Sequence, residues 1–156
     1  MELALLKEIN PKLRRYCLGT SESRSVFIQE RAVTKATGRA WLFFGDQHSA
    51  SDYLYRNELE QYQKDGVLTR IETAFSRDTA QKVYVQHKML EHSKELFEWL
   101  ENGASFYVCG DKQYMAKDVH NVLIEVIEKE GAMSREAAEA YLNDIQAQGR
   151  YQRDVY

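Results

Sequence analysis

The sequence predicts an α/β fold, a three-layer α/β/α arrangement in which helices cover both faces of a parallel sheet. Three observations carry that expectation. Ala40-Trp41-Leu42-Phe43-Phe44-Gly45 and Ser105-Phe106-Tyr107-Val108-Cys109-Gly110 are short apolar runs closed by glycine, the pattern of strands buried on both faces. Strand-like segments alternate with helical periodicities of ~12 to 20 residues, as crossover connections between parallel strands require. A single proline, Pro11, and the lack of any Gly/Ser-rich stretch leave no internal linker, so the 156 residues form one domain.

Each element has its own signal. Glu2 to Lys7 reads as a helical turn, Leu13 to Leu18 as a strand or an extended arm, and Phe27 to Lys35 as a helix. After the Ala40–Gly45 strand, Asp52 to Asp65 places Tyr55, Leu59 and Tyr62 at helical spacing, and Gly66 supplies the stop. Val67 to Phe75 alternates apolar and polar residues, which fits a strand near the sheet edge. Val85 to Leu100 sets Met89, Leu90, Leu96, Phe97 and Leu100 on one helical stripe. Met115 to Lys129 does the same with Val119, Val122, Leu123, Val126 and Ile127, and Gly131 ends it. Ser134 is the candidate cap of a last helix whose inner face is Ala138, Tyr141, Leu142 and Ile145. Tyr151 to Tyr156 closes the sheet.

Composition narrows the function classes. A formal net charge of −3 argues against nucleic acid as the main partner, and the ten tyrosines do not cluster with Lys and Arg as stacking platforms do. Cys17 and Cys109 cannot build a disulfide framework or a four-ligand metal site, and His48, His87, His92 and His120 lack ligand spacing. No segment approaches the ~18 unbroken apolar residues of a membrane span, and Met1 to Glu8 lacks a basic leader with a cleavage site. The cytoplasm is the expected compartment.

In an open parallel sheet, ligands bind beyond the carboxyl ends of the strands. Gly45-Asp46-Gln47-His48, Ser76-Arg77-Asp78 and Gly110-Asp111-Lys112-Gln113 all follow predicted strands, which places them on one rim. The segment Ser76 to Gln86 brings a hydroxyl, two cations and an aromatic ring to that rim. Arg77 offers a planar fork for phosphate oxygens, Lys82 a point charge, Ser76 a neutral donor, and Tyr84 a face for adenine or a hydroxyl for phosphate. The set suits an adenosine carrying a 2′-phosphate, that is, NADPH selection. Taken alone, the same segment also reads as a solvated turn that keeps the surface charged.

A family resemblance adds to these observations. Trp41-Leu42-Phe43-Phe44-Gly45, Gly66-Val67-Leu68-Thr69-Arg70-Ile71, Ser76-Arg77-Asp78, Lys82-Val83-Tyr84-Val85-Gln86, Tyr107-Val108-Cys109-Gly110-Asp111, Met115-Ala116-Lys117-Asp118-Val119 and the Arg150–Tyr156 tail resemble the NADPH-binding module of the diflavin reductases. Within that group, the chain resembles the sulfite reductase flavoproteins. The resemblance implies the ferredoxin-reductase type of NADP-binding fold over residues 27–156 and electron flow from NADPH to FAD, then FMN, then a haem and iron–sulfur hemoprotein subunit. It implies that Ser76, Arg77, Lys82 and Tyr84 grip the 2′-phosphate and adenosine, with Val83, Val85 and Gln86 in the same loop and Asp118 in the same NADP site. Cys109 is implied to lie beside the nicotinamide and assist hydride transfer, with Asp154 orienting it and Tyr156 stacking on the FAD ring. Physical alternatives accompany these roles: Cys109 as a small core residue, Asp118 as a first-turn acid, and Asp154 and Tyr156 as a frayed tail.

The chain departs from the family at its start. The expected first unit is a buried strand followed by a loop of the form G-x-G-T-G-x-A-P-F-R, but before Phe27 only Gly19-Thr20 and Arg24 echo it, and Glu22 adds a carboxylate that repels phosphate. Alternatively, Arg14 and Tyr16 match the R-x-Y-S motif of a FAD-domain arm, with Cys17 in place of the serine. Residues 1–26 are therefore either a remnant of that arm or an atypical first strand and loop. Neither a complete FAD site nor an FMN domain is expected in this chain. The expectation is an NADPH-binding domain that works with a FAD-bearing domain or chain, the alternative being a non-catalytic NADP-binding or interaction module of a truncated reductase.

Overall fold

Trp41, Leu42, Phe43 and Phe44 are consecutive and at most 1% exposed. Successive side chains on a strand point to opposite faces, so this segment demands apolar cover on both sides. The computed structural model, which describes residues 2–7, 39–46, 56–110 and 112–155, provides it. Trp41 and Phe43 join a cluster with Met89, Leu96, Val119, Leu123 and Leu142, whereas Ala40, Leu42 and Phe44 pack with Leu59 and Leu68. Three layers result, as the sequence predicts.

The described elements are β1 (Glu2–Lys7), β2 (Ala40–Asp46), α1 (Arg56–Lys64), β3 (Arg70–Phe75), α2 (Val85–Glu91), α3 (Ser93–Glu101), β4 (Ser105–Gly110), α4 (Met115–Glu130), α5 (Arg135–Ala147) and β5 (Tyr151–Val155). The strands form one sheet in the order β3-β2-β1-β4-β5. β2 pairs with β3, and β4 with β5, in parallel, and β3 is the edge strand that its alternation suggests. α1 covers one face and α2 to α5 the other.

Two expectations change. Glu2 to Lys7 is not a helical turn but the central strand, antiparallel to both β2 and β4, with Leu3 opposite Phe44 and Cys109 and Lys7 opposite Ala40 and Ser105. A six-residue helix has little stability of its own, whereas the gap between β2 and β4 offers hydrogen-bonding edges on both sides. It also buries Ala4 completely, in the same cluster as Phe43 and Val108. The parallel sheet therefore carries one reversed strand at its centre. Second, the continuous helix expected over Val85 to Leu100 breaks at His92, which has φ −112° and ψ 28°. There the imidazole lies edge-on to Trp41, with 5.5 Å between centroids, and its Nε2 is 3.4 Å from Glu72. Ser93 is buried and donates to Glu130 at 2.7 Å.

Other boundaries follow from local chemistry. Gly66 adopts φ +77° after α1, a conformation that favours glycine, and the amides of Val67 and Leu68 return to the Tyr62 carbonyl at 2.9 and 3.1 Å. These bonds delay β3 until Arg70. Ser134 caps α5 as expected, its hydroxyl accepting from the Ala137 amide at 3.2 Å. The Arg150 guanidinium donates to the carbonyls of Leu100 and Ala104 at 2.6 and 3.1 Å, fixing the start of β5 against the α3–β4 turn. Leu13 to Leu18 and Phe27 to Lys35 lie outside the described residues, as does the start of the helix expected from Asp52.

Candidate functional site at the carboxyl rim

Strands β2 to β5 run in one direction, so Asp46, Phe75, Gly110 and Val155 end on the same side of the sheet. At β3 the Ser76 amide donates to the Asp46 carbonyl at 2.9 Å, tying the ends of β2 and β3 together where the chain leaves the sheet. Beyond it the turn closes on itself: the Asp78 amide reaches the Phe75 carbonyl at 3.4 Å, and the Thr79 hydroxyl donates to the Gln81 carbonyl at 2.5 Å. Arg77 and Lys82 are exposed on this turn, and neither forms an ion pair among the described residues. Their charge is available to an anion.

The other end of the loop is anchored. Tyr84 precedes α2 in an extended conformation, and its amide donates to His87 Nδ1 at 2.9 Å. Its half-buried ring lies 5.6 Å from the His87 ring. Val83 is half-buried, and Val85 is fully buried in the core, so the Val85 side chain packs beneath the loop and presents no surface. Gln86 donates through Nε2 to Asp118 Oδ2 at 3.4 Å, joining the start of α2 to the first turn of α4. The fold thus brings together Ser76, Arg77, Lys82, Val83, Tyr84, Val85, Gln86 and Asp118.

Cys109 lies on β4, 8% exposed, between Leu3 of β1 and Asp154 of β5, each directly opposite it in register. Cys109 and Asp154 are therefore neighbours across one strand pair. Tyr156 lies outside the described residues, as do Asp111 and the atypical loop around Gly19, Thr20 and Arg24.

The chemistry fits one end of a dinucleotide better than the other. Two exposed cations, a serine and a tyrosine suit a 2′-phosphoadenosine. β1 runs against its neighbours, so Glu2 lies at the ligand rim and Lys7 at the opposite one. Among the described residues, no group of three or more His, Cys, Asp or Glu side chains converges as metal ligands would. No described helix is long and apolar enough to cross a membrane.

Sequence reasoning missed several participants. The Asp46 carbonyl and His87 act through hydrogen bonds that no spacing rule announces. It also missed a cleft of about 540 Å³ lined by Lys112, Lys117, Gln146, Tyr151, Gln152 and Arg153. Next to the Tyr151 wall, the hydroxyl is 3.1 Å from His120 Nδ1 and the two rings stack at 26°. Burial, followed by the Arg153 charge, lowers the His120 pKa, and Glu139 opposes them. Burial pushes the Tyr151 hydroxyl up to about 12 against the pull of Arg153.

Residues 20–121 match the family model of the oxidoreductase NAD-binding domain. The chain is 64% identical over 138 residues to the sulfite reductase (NADPH) flavoprotein alpha-component of Bacillus subtilis (strain 168), covering 88% of this chain and 23% of that protein. Against the proteins of the same description from Photobacterium profundum and Klebsiella pneumoniae subsp. pneumoniae, identity is 52% over 130 residues, 83% of this chain and 22% of each relative. The chain spans less than a quarter of the length of these curated relatives.

Proposed function

The chain belongs to the oxidoreductase NAD-binding domain family, and from that premise we propose that its carboxyl rim binds NADPH by the adenosine end and presents the nicotinamide to a flavin held elsewhere. The observation that carries this reading is the pair Arg77 and Lys82, exposed and free of ion pairs among the described residues, at the carboxyl end of β3. In the proposal, Ser76, Arg77 and Lys82 hold the 2′-phosphate, and Tyr84 faces the adenine. Val83, Val85, Gln86 and Asp118 shape and brace the loop. Cys109 and Asp154 flank the nicotinamide, and Tyr156 stacks on the flavin. The bound nucleotide supplies a hydride, and the protein groups position the ring rather than act as acid or base.

The description of the relatives as a flavoprotein component of an NADPH-dependent sulfite reductase supports residues 27–156 as the NADP-binding domain of a similar assembly. There FAD, FMN and a haem/iron–sulfur hemoprotein subunit would receive the electrons in turn. A second reading, a module that binds NADP without turnover, draws support from the reversed β1 at the pyrophosphate position. The purified chain separates the two. A yellow protein that reduces ferricyanide with NADPH supports the first, and a colourless protein that only binds nucleotide supports the second.

The recognition step has its own test. In calorimetry, 2′,5′-ADP should bind more tightly than 5′-AMP, and Arg77→Ala should cost about 1.5–3 kcal/mol of the 2′,5′-ADP affinity, as for a hydrogen bond to a charged group. Equal affinity for the two ligands would sink the 2′-phosphate reading.

A further inference from the structure

We propose that the cleft between the start of α4 and the edge strand β5 is a second anion site, one that takes a small phosphate-bearing ligand independently of the Ser76–Gln86 loop. Lys112 enters it from the turn after β4, Lys117 from the first turn of α4, and Arg153 from β5. Gln146 of α5 and Gln152 add neutral donors, and the Tyr151 ring forms an apolar wall. No carboxylate is among the described lining residues.

Charge makes the site specific. The whole chain carries −3, so three cations around one concavity stand out from the background. None of the three is in an ion pair among the described residues, and Arg153 lies over the Tyr151 ring with 5.7 Å between its guanidinium carbon and the ring centroid. The positive end of the α4 dipole points the same way as the charges of Lys112 and Lys117. A volume of about 540 Å³ suits a small molecule rather than a protein surface. A compact dianion can meet three cations at once, and the flat Arg153 fork matches phosphate oxygens.

The sheet separates the β5 side of this cleft from the β3 end of the proposed nucleotide loop. β3 and β5 are opposite edges, four inter-strand steps apart, or about 19 Å. Along the strands, Tyr151 pairs with Phe106, four residues before Gly110 at the rim, or about 13 Å. A phosphate held by Ser76 and Arg77 at the end of β3 cannot also reach Arg153 on β5, although Lys117 stands next to Asp118, which bonds the Gln86 end of the loop.

The test is NMR titration of the full chain with inorganic pyrophosphate at constant ionic strength, following the side-chain amides of Gln146 and Gln152 and the His120 ring. Saturable shifts are expected with a midpoint of about 1 mM, weakened roughly tenfold by Lys117→Gln with Arg153→Gln and unchanged by Arg77→Ala. Both cleft substitutions are at exposed positions, and circular dichroism checks that the fold is intact. The His120 titration midpoint should also rise on binding, because the anion offsets Arg153 while Glu139 on α5 stays unchanged. A parallel titration with 5′-AMP that moves the same amides with a lower midpoint supports the site as one for phosphomonoesters of nucleosides, whereas an equal midpoint supports recognition of phosphate alone. Shifts that sodium chloride reproduces, that do not saturate, or that disappear in Arg77→Ala would overturn the second site. The Arg77→Ala arm keeps this result distinct from the fate of the NADPH reading.

Discussion

His120 stacks on the Tyr151 phenol and feels the charge of Arg153, and its position sets a pH dependence that can be signed. Its folded-state pKa lies below 6.5, through burial first and Arg153 second, against the opposing charge of Glu139. In the unfolded chain it titrates near its ordinary value. As pH falls through about 6.5 the unfolded state therefore takes up the proton first, and stability is lost from there down to the folded-state pKa. Above that window both states are neutral, and His120 contributes no slope. Urea midpoints of wild type and His120→Gln should accordingly diverge in acid, with the wild type losing more between about pH 7 and pH 5. Parallel curves would mean that His120 is as easily protonated in the fold as out of it. The same scale explains why site residues differ in visibility. Arg77 and Lys82 announce themselves by charge type and spacing, while His87 acts through a single bond to the Tyr84 amide that only the turn into α2 creates.

At the scale of elements, the helices were legible because a sixteen-residue stripe cannot be mistaken for a strand. α4 buries Val119, Leu123, Val126 and Ile127 with no exposure, and these were its predicted inner face. Leu123→Ala should cost about 2–5 kcal/mol in urea unfolding, while Lys129→Ala, on the outer face, should stay within about 0.5 kcal/mol. A loss at Leu123 no larger than at Lys129 would contradict the packing described. β2 and β4 were legible for a related reason: an apolar run too short for a helix and closed by glycine has few other uses. The break at His92 was not legible, since the stripe of Met89, Leu96 and Leu100 continues through it. What intervenes is tertiary: Arg70 lies over Trp41, with 4.3 Å from its guanidinium carbon to the ring centroid, and bonds Glu72 and Glu95 beside the imidazole. β1 was hidden because Glu, Leu, Ala and Lys are strong helix formers, and only the empty place between β2 and β4 makes Glu2–Lys7 a strand.

For the molecule as a whole, that strand joins the two halves of the sheet. Without β1 the sheet is two separate parallel pairs, β2 with β3 and β4 with β5, because β2 and β4 are joined only through it. Its backbone is flanked on both sides, so the amides of Glu2 to Lys7 should exchange with solvent as slowly as those of β2 and β4. Leu5→Pro, which removes a ladder donor from a central strand, should lower the urea midpoint and speed exchange in both neighbours, not in one. Nucleotide gives the experiment its functional edge. If binding is confined to the adenosine end, 2′,5′-ADP should slow exchange in residues 76–86 and leave β1 unchanged. Fast exchange throughout Glu2–Lys7 in the free protein would remove the antiparallel strand from the sheet and leave the two parallel pairs without their link.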